Sequence, residues 1–270
     1  MGKFAARLHV ILARNKRTGI IIRRGPSKSV CTILWDRKAD TFKLGQWLRG
    51  RIYERRSDLS PDGKYFIYFA MNGNWESGTQ GAWTAISRTP YLKAISLFAK
   101  GDCWHGGGLF VTDKEFWLND GLGHKTLKES PKLKRDLEFK PEYRHGECLG
   151  VYYPRLLRDG WTHRKHISRE VDVFEKALTG GWVLRKIAHA QVGAPEGKGC
   201  YWDEHELEHS NSATLIKYPD WEWADLDKNR LLWATRGKLW AGFVKRDGIK
   251  DQKCLHDFNE MQFEPIVAPY

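Results

Sequence analysis

Two short segments hold residue types that can do chemistry. The first, His205-Glu206-Leu207-Glu208-His209, spells H-E-x-x-H. On a helix this spacing sets two imidazoles one turn apart for a zinc ion, with a carboxylate to activate water. Its neighbours argue against a helix, because Cys200-Tyr201-Trp202 leads in and Ser210-Asn211-Ser212 turns the chain directly afterwards. No third ligand follows at a metalloprotease spacing. On a strand, the two histidines share a face but stand about 13 Å apart, too far for one ion. Zinc held by His205 and His209, with Glu206 as base, is the metal reading to test; a polar strand or loop is the expectation.

The second segment is Asp102-Cys103-Trp104-His105-Gly106-Gly107-Gly108. Its glycines let backbone approach a ligand closely, and consecutive N–H groups can cradle an anion. Cys103 or His105 would then serve as nucleophile, acid or base. No helix N-terminus and no lysine follow, so this is not a P-loop. A wide connection with a structural thiol is the competing reading. Asp120-Gly121-Leu122-Gly123-His124 is a weaker version of the same pattern and reads as a turn. No pair of carboxylates is recognisable as a glycosidase set.

Basic clusters recur along the chain. Arg14, Lys16 and Arg17 flank one turn, and Arg23, Arg24 and Lys28 surround Gly25-Pro26. Arg49, Arg51, Arg55 and Arg56 follow, then Lys132, Lys134 and Arg135, and finally His163, Arg164, Lys165, His166 and Arg169. With 45 Lys plus Arg against 33 Asp plus Glu, the formal charge is +12 and the isoelectric point near 9.4, a balance that attracts polyanions. Trp47, Tyr53 and Trp161 can stack on unpaired bases. Most tryptophans are expected in the core instead, and many cations on a solvated surface. Acidic residues group at Asp203 to Glu208 and at Asp220 to Asp227.

The elements that must position these groups read as strands. Short runs of Val, Ile, Trp, Tyr and Phe are bounded by Gly, Asp-Gly, Asn-Gly or Pro. Expected strands include Leu8 to Ala13, Gly19 to Arg23, Val30 to Trp35, Lys64 to Ala70, Trp83 to Ser87, Lys93 to Phe98, Glu115 to Leu118, Leu149 to Tyr153, Trp182 to Lys186, Arg230 to Ala234 and Leu239 to Val244. Val171 to Leu178 is the one segment read as a short helix.

In Asp58-Leu59-Ser60-Pro61-Asp62-Gly63-Lys64, proline presets φ and Asp-Gly permits the positive φ of a reversal before an apolar strand. The segment resembles the "SPDG" blade turn of WD40-like and TolB-like β-propellers. A second copy of its frame runs from Trp223 to Ala234. Cys103, Cys148, Cys200 and Cys254 follow one another by 45, 52 and 54 residues, close to the period of a four-stranded blade. On that reading they are small buried residues at equivalent blade positions. The expected fold is therefore all-β: a β-propeller of five blades, or six, each a four-stranded antiparallel sheet. It forms one domain over 1–270, closed by the N-terminal strand Leu8 to Ala13 beside Phe263 to Val267.

The remaining features restrict the class. No apolar run reaches the length of a membrane helix, and the first seven residues lack a signal-peptide core and a myristoylation motif. Five cysteines without a Cys-x-x-Cys pair argue for free thiols in a reducing cytoplasm. The expected function is a non-enzymatic binding or scaffold propeller whose partners are a protein complex, nucleic acid or both, with no membrane. The alternative is a hydrolase built on the H-E-x-x-H motif or on Cys103 and His105.

Overall fold

A computed structural model describes residues 5–121, 123–142, 147–191, 199–210, 212 and 214–270. The readings made on the first four residues, on Leu122 and on Asn211 lie outside the described residues. The chain divides into two compact units. One comprises residues up to His9 together with Leu156–Met261; the other comprises Val10–Arg155 and Gln262–Tyr270.

Strands dominate, and most sheets are simple meanders. The first sheet runs β1 (Arg7–Leu12), β2 (Thr18–Arg24), β3 (Ser29–Asp36), β4 (Thr41–Arg49) in chain order. The second is built on β5 (Arg51–Leu59), β6 (Tyr65–Met71), β7 (Ala82–Arg88) and β8 (Ala94–Ala99). A small third sheet follows from β9 (Gly108–Phe110) and β10 (Glu115–Leu118). The chain then returns through β11 (Lys125–Lys128) to pair with β8, and β12 (Lys134–Arg135) joins β10 in parallel. After helix α1 (Leu149–Arg158) come β13 (Thr162–Ser168), β14 (Val171–Ala177), β15 (Trp182–Ala190), β16 (Tyr201–His209) and β17 (Thr214–Tyr218), five strands in sequence order. The last sheet is β18 (Trp223–Asp227), β19 (Arg230–Thr235), β20 (Lys238–Lys245) and β21 (Gly248–Asp257). Successive antiparallel meanders of this size are blades, and the chain is an all-β β-propeller of about five blades.

The Asp58–Lys64 turn forms as its sequence specifies. Tyr65 and Ser60 close it backbone to backbone, the Ser60 hydroxyl donates to Asp62 Oδ1 at 2.8 Å, and Asp62 accepts from the Lys64 N–H. Gly63 adopts φ +73°, and a Cβ there would sit 2.3 Å from Thr18 Oγ1. Its frame copy is the β18–β19 hairpin, where Asp227 pairs with Arg230 across a two-residue turn and Lys228 takes φ +60°.

Several expectations need correction. Leu149 to Tyr153 is the start of a helix, not a strand, and residues 151–156 are buried without a break, so no alternation of either period marks the segment. Val171 to Leu178 is not helical but contains β14. This central strand has Val171, Asp172, Val173 and Phe174 all buried, so its two covered faces erase the alternation that marks a strand. The cysteines do not repeat a blade position, since Cys103 lies in an exposed loop, Cys148 is buried before α1, Cys200 precedes β16 and Cys254 is exposed in β21. Phe263 to Val267 forms no strand. That tail is held by Gln46, which donates to Ile266 O at 2.7 Å, and by Tyr270, which donates to Lys93 O at 2.7 Å. β1 pairs instead with β2, and just before and within it the Ala6 and Leu8 N–H groups donate to Asn259 Oδ1 and Glu222 Oε2.

The core of the Val10–Arg155 unit is centred on β6, five of whose seven residues are buried. Phe66 and Tyr68 stack at 4.9 Å among Ile11, Ile20, Ile22, Ile52 and Leu59. Phe66→Ala is expected to cost about 3–5 kcal/mol through lost burial and the cavity left behind, read as a lowered urea midpoint. A loss under about 1 kcal/mol would show that this cluster is not the core.

Candidate functional site

The glycine loop between β8 and β9 is shaped by a close approach of backbone to backbone. Gly106 and Gly107 have φ +85° and +77°, and a Cβ on Gly107 would stand 1.8 Å from the Arg56 carbonyl oxygen. A Cβ on Gly106 would strike the Phe69 ring at 2.3 Å. These glycines therefore let the loop lie against β5 and β6. Arg56 fastens it there: Nη1 donates to Cys103 O at 2.6 Å and also to His105 O, while Nε donates to Cys148 Sγ at 3.1 Å. Cys103 itself is exposed, and among the described residues no hydrogen bond joins it to His105. The pair is not set as nucleophile and base.

Behind the loop runs a partly buried relay that includes Asp120 and His124, the ends of the segment read as a turn. Gly107 N–H donates to Thr84 Oγ1 at 2.8 Å, which leaves the hydroxyl to donate to His124 Nε2 at 3.1 Å. His124 Nδ1–H then donates to Asp120 Oδ1 at 2.7 Å, and Arg135 binds Asp120 Oδ2 at 2.5 Å. Burial pushes the His124 pKa below the usual imidazole value, against the opposing pull of Asp120. Burial raises Asp120, but the hydrogen bonds from Arg135 and His124 outweigh it and hold the carboxyl below its ordinary value. Asp120 and Arg135, with His105, Trp117 and Lys140, line a pocket of about 370 Å³. His105 Nδ1 is buried there with no hydrogen-bond partner among the described residues.

The H-E-x-x-H segment lies on β16, as the strand reading expects. His205 is buried and points inward: Lys186 Nζ donates to its Nε2 at 2.9 Å, and its Nδ1 contacts Trp221 O at 3.0 Å. Both ring nitrogens are thus engaged. Glu206 faces the other side, 3.6 Å from Lys217 Nζ, and His209 reaches Gly180 O at 3.0 Å and the Ser212 hydroxyl. His205, Glu206 and His209 do not converge, so the helical zinc geometry is absent. The residue that sequence reasoning missed is Lys186. It is 1% exposed, 3.7 Å from Asp203 and over the Trp161 ring at 4.9 Å.

The predicted polyanion contacts split into two groups. Arg23 is buried against Trp47, Arg55 is buried over Tyr152, and Arg56 is 2% exposed over Tyr53 and Phe69. These three hold the interior together and cannot reach phosphates, which corrects their assignment. Arg24 is half-buried and pairs with Glu54 at 3.2 Å. Lys28, Arg49 and Arg51 are exposed in the same unit, and Arg164 and Lys165 are exposed on β13 of the other.

These blade-type sheets define the chain as a β-propeller. No family model matches it, and no curated protein does. Solved structures that match it include the following two. Hydrazine synthase of Kuenenia stuttgartiensis has 9% identity and a TM-score of 0.32 over 90% of this chain and 78% of that one. The β-propeller domain of the Trilobed protease from Pyrococcus furiosus, described as having an open velcro topology, has 9% identity and a TM-score of 0.29 over 95% and 100%. Likeness this weak carries nothing about activity or ligand.

Thiol reactivity should separate the cysteines. Burial pushes Cys31 up to about 12 and raises Cys148, whereas Cys103 and Cys200 are exposed. Iodoacetamide at mildly alkaline pH is expected to label Cys103 and Cys200 in native protein, and Cys31 and Cys148 only in denaturant. Peptide mass spectrometry decides, and rapid native labelling of Cys31 would contradict the structure.

The relay gives a pH signature. Because the folded Asp120 carboxyl lies below its unfolded value, its stabilisation is present above the ordinary carboxylate range and lost as pH falls through the lowered value. Asp120→Asn is expected to cost about 1–3 kcal/mol at neutral pH, and the gap to the parent protein should close in acid. Denaturant titrations across that range test this; a gap independent of pH would refute it.

Proposed function

We propose that this chain is a non-enzymatic binding propeller that engages a polyanion, nucleic acid foremost, through the corner where β4 turns into β5. The observation that carries this reading is a set of unneutralised cations beside exposed aromatic surface. Lys28, Arg49 and Arg51 are all exposed, and none has a carboxylate partner among the described residues. They are held together by the ladder: Ser29 pairs with Arg49, and the Gly50 N–H donates to Lys28 O at 2.9 Å. Arg51 lies over Tyr53 at 4.5 Å, and Arg49 over Phe263 at 5.8 Å; Phe263 is 58% exposed.

Cations that point to solvent beside an exposed ring suit a phosphate backbone with an unstacked base. The absence of a Cys103–His105 pair and of convergence at His205 and His209 favours binding over hydrolysis. So does the likeness of Asp58–Lys64 to WD40-like and TolB-like blade turns. A protein complex carrying nucleic acid or an acidic surface is the partner class that fits.

Fluorescence anisotropy with single-stranded DNA and RNA, titrated over a salt series, tests the reading. Affinity is expected to fall steeply with salt. The triple variant Lys28→Ala/Arg49→Ala/Arg51→Ala should weaken binding at least tenfold and flatten the log–log salt slope by roughly 2, three contacts at about 0.7 each. Absence of binding in the parent protein, or an unchanged slope in the variant, would overturn the assignment.

A further inference from the structure

The edge strand β13 carries two histidines whose spacing is wrong for a shared face. His163 and His166 are three residues apart, and in a regular strand they would point to opposite sides of the sheet. The register shows how that parity is reversed. His163 stands opposite Phe174, Lys165 opposite Val173 and His166 opposite Asp172, so a bulge at Arg164 sets two β13 residues against one step of β14. The extra residue brings both imidazoles to the face that bears Asp172. Bulges re-aim side chains in this way and are structural devices rather than defects.

The three side chains meet. His163 Nε2 lies 2.7 Å from Asp172 Oδ1, and His166 Nδ1 closes on the same oxygen from the other side. One ligand atom from each residue falls within 4.8 Å of the other two. The ring centroids of the histidines are 4.7 Å apart, and His163 is braced by Phe174 at 5.1 Å. Asp172 is 3% exposed on a central strand, so its carboxylate is fixed, whereas the His166 side chain is 62% exposed and can move. Arg164, at the bulge, turns towards Glu175 at 3.7 Å, and Glu175 stands on the opposite face from Asp172.

We propose that His163, His166 and Asp172 form a binding site for a divalent transition-metal ion, zinc being the probe of choice. Two imidazoles and one carboxylate are a borderline donor set, suited to zinc, cobalt or nickel and poorly suited to magnesium or calcium, which take oxygen ligands. Metal–ligand bonds of about 2.0–2.2 Å ask the donors to separate slightly from their present hydrogen-bonded spacing. The exposed His166 ring supplies that movement. Three protein ligands leave a tetrahedral position for water or for a group from a partner. The site is distinct from His205 and His209 and independent of the polyanion reading.

The test uses tag-free full-length protein stripped with a chelator. Calorimetric titration with zinc is expected to show one equivalent bound, and cobalt should give visible d–d bands without a thiolate charge-transfer band. His166→Ala is expected to lower zinc affinity at least tenfold while leaving the circular dichroism and melting temperature of the metal-free protein unchanged. Asp172→Asn should do the same to affinity, but His166 is the deciding variant because Asp172 is buried. His209→Ala should leave binding unaltered. No zinc uptake, uptake that survives His166→Ala, or a thiolate band from Cys103, Cys200 or Cys254 would each overturn the proposal.

Discussion

Arg56 carries a full charge at 2% exposure, and that combination is tolerated only if its N–H donors are occupied. It meets this demand with two loop carbonyls, the Cys148 sulfur and the Glu147 carboxylate at 3.3 Å, while Tyr53 and Phe69 cover its faces. The glycine loop, the residues before α1 and strand β5 are thereby fixed to one side chain. Between Tyr53 and Asp58 the β5–β6 register jumps, so residues 54–57 bow out of the ladder. Arg155 from α1 binds the carbonyls of Glu54 and Ser57 in that bow, and Arg55 lies over Tyr152. Removing the Arg56 guanidinium would take a donor from the buried Cys148 sulfur and from two part-buried loop carbonyls, a loss beyond that of the charge alone.

The Leu156–Met261 unit solves a similar problem with lysines. Lys186 is satisfied by His205, approached by Asp203 and covered by Trp161, and Lys176 reaches Asp225 at 2.5 Å over the same indole. Buried cations of this kind change what net charge means. Among the described residues seven lysines and arginines, Arg23, Arg37, Arg55, Arg56, Lys100, Arg155 and Lys186, are buried. The formal +12 is therefore partly an interior property, and the charge available to a polyanion is concentrated at fewer positions than the sequence suggests.

Sequence reading succeeded where a residue's role is set by its immediate neighbours. The Asp58–Lys64 turn, the β18–β19 hairpin and the exact span of β10 follow from proline, glycine and short apolar runs. It failed where burial on both sides or a distant partner decides. β14 lost its alternation because both faces are covered, and Leu149–Tyr153 is too short an apolar run to separate strand from helix without knowing that Arg155 and Leu156 continue the turn. Arg55 and Arg56 resemble Arg49 and Arg51 in sequence; only the bow in β5 turns the first pair inward. The strand placement of His205 and His209 was legible, but Lys186 as the partner of His205 was not, since 19 residues separate them.

The allocation of residues to the two units has a consequence for biosynthesis. Residues up to His9 belong with Leu156–Met261, and Gln262–Tyr270 belong with Val10–Arg155. Neither unit is an uninterrupted stretch of polypeptide. During vectorial synthesis the sheets of Val10–Arg155 emerge first, yet their unit lacks its last segment until Gln262–Tyr270 has been made. The later unit, conversely, must keep the segment ending at His9 waiting while all of Val10–Arg155 is made. The Leu156–Met261 unit has its last residue once Met261 is made and the Val10–Arg155 unit once Tyr270 is made, so their maturation is tied to one late stretch of synthesis rather than to two well-separated ones.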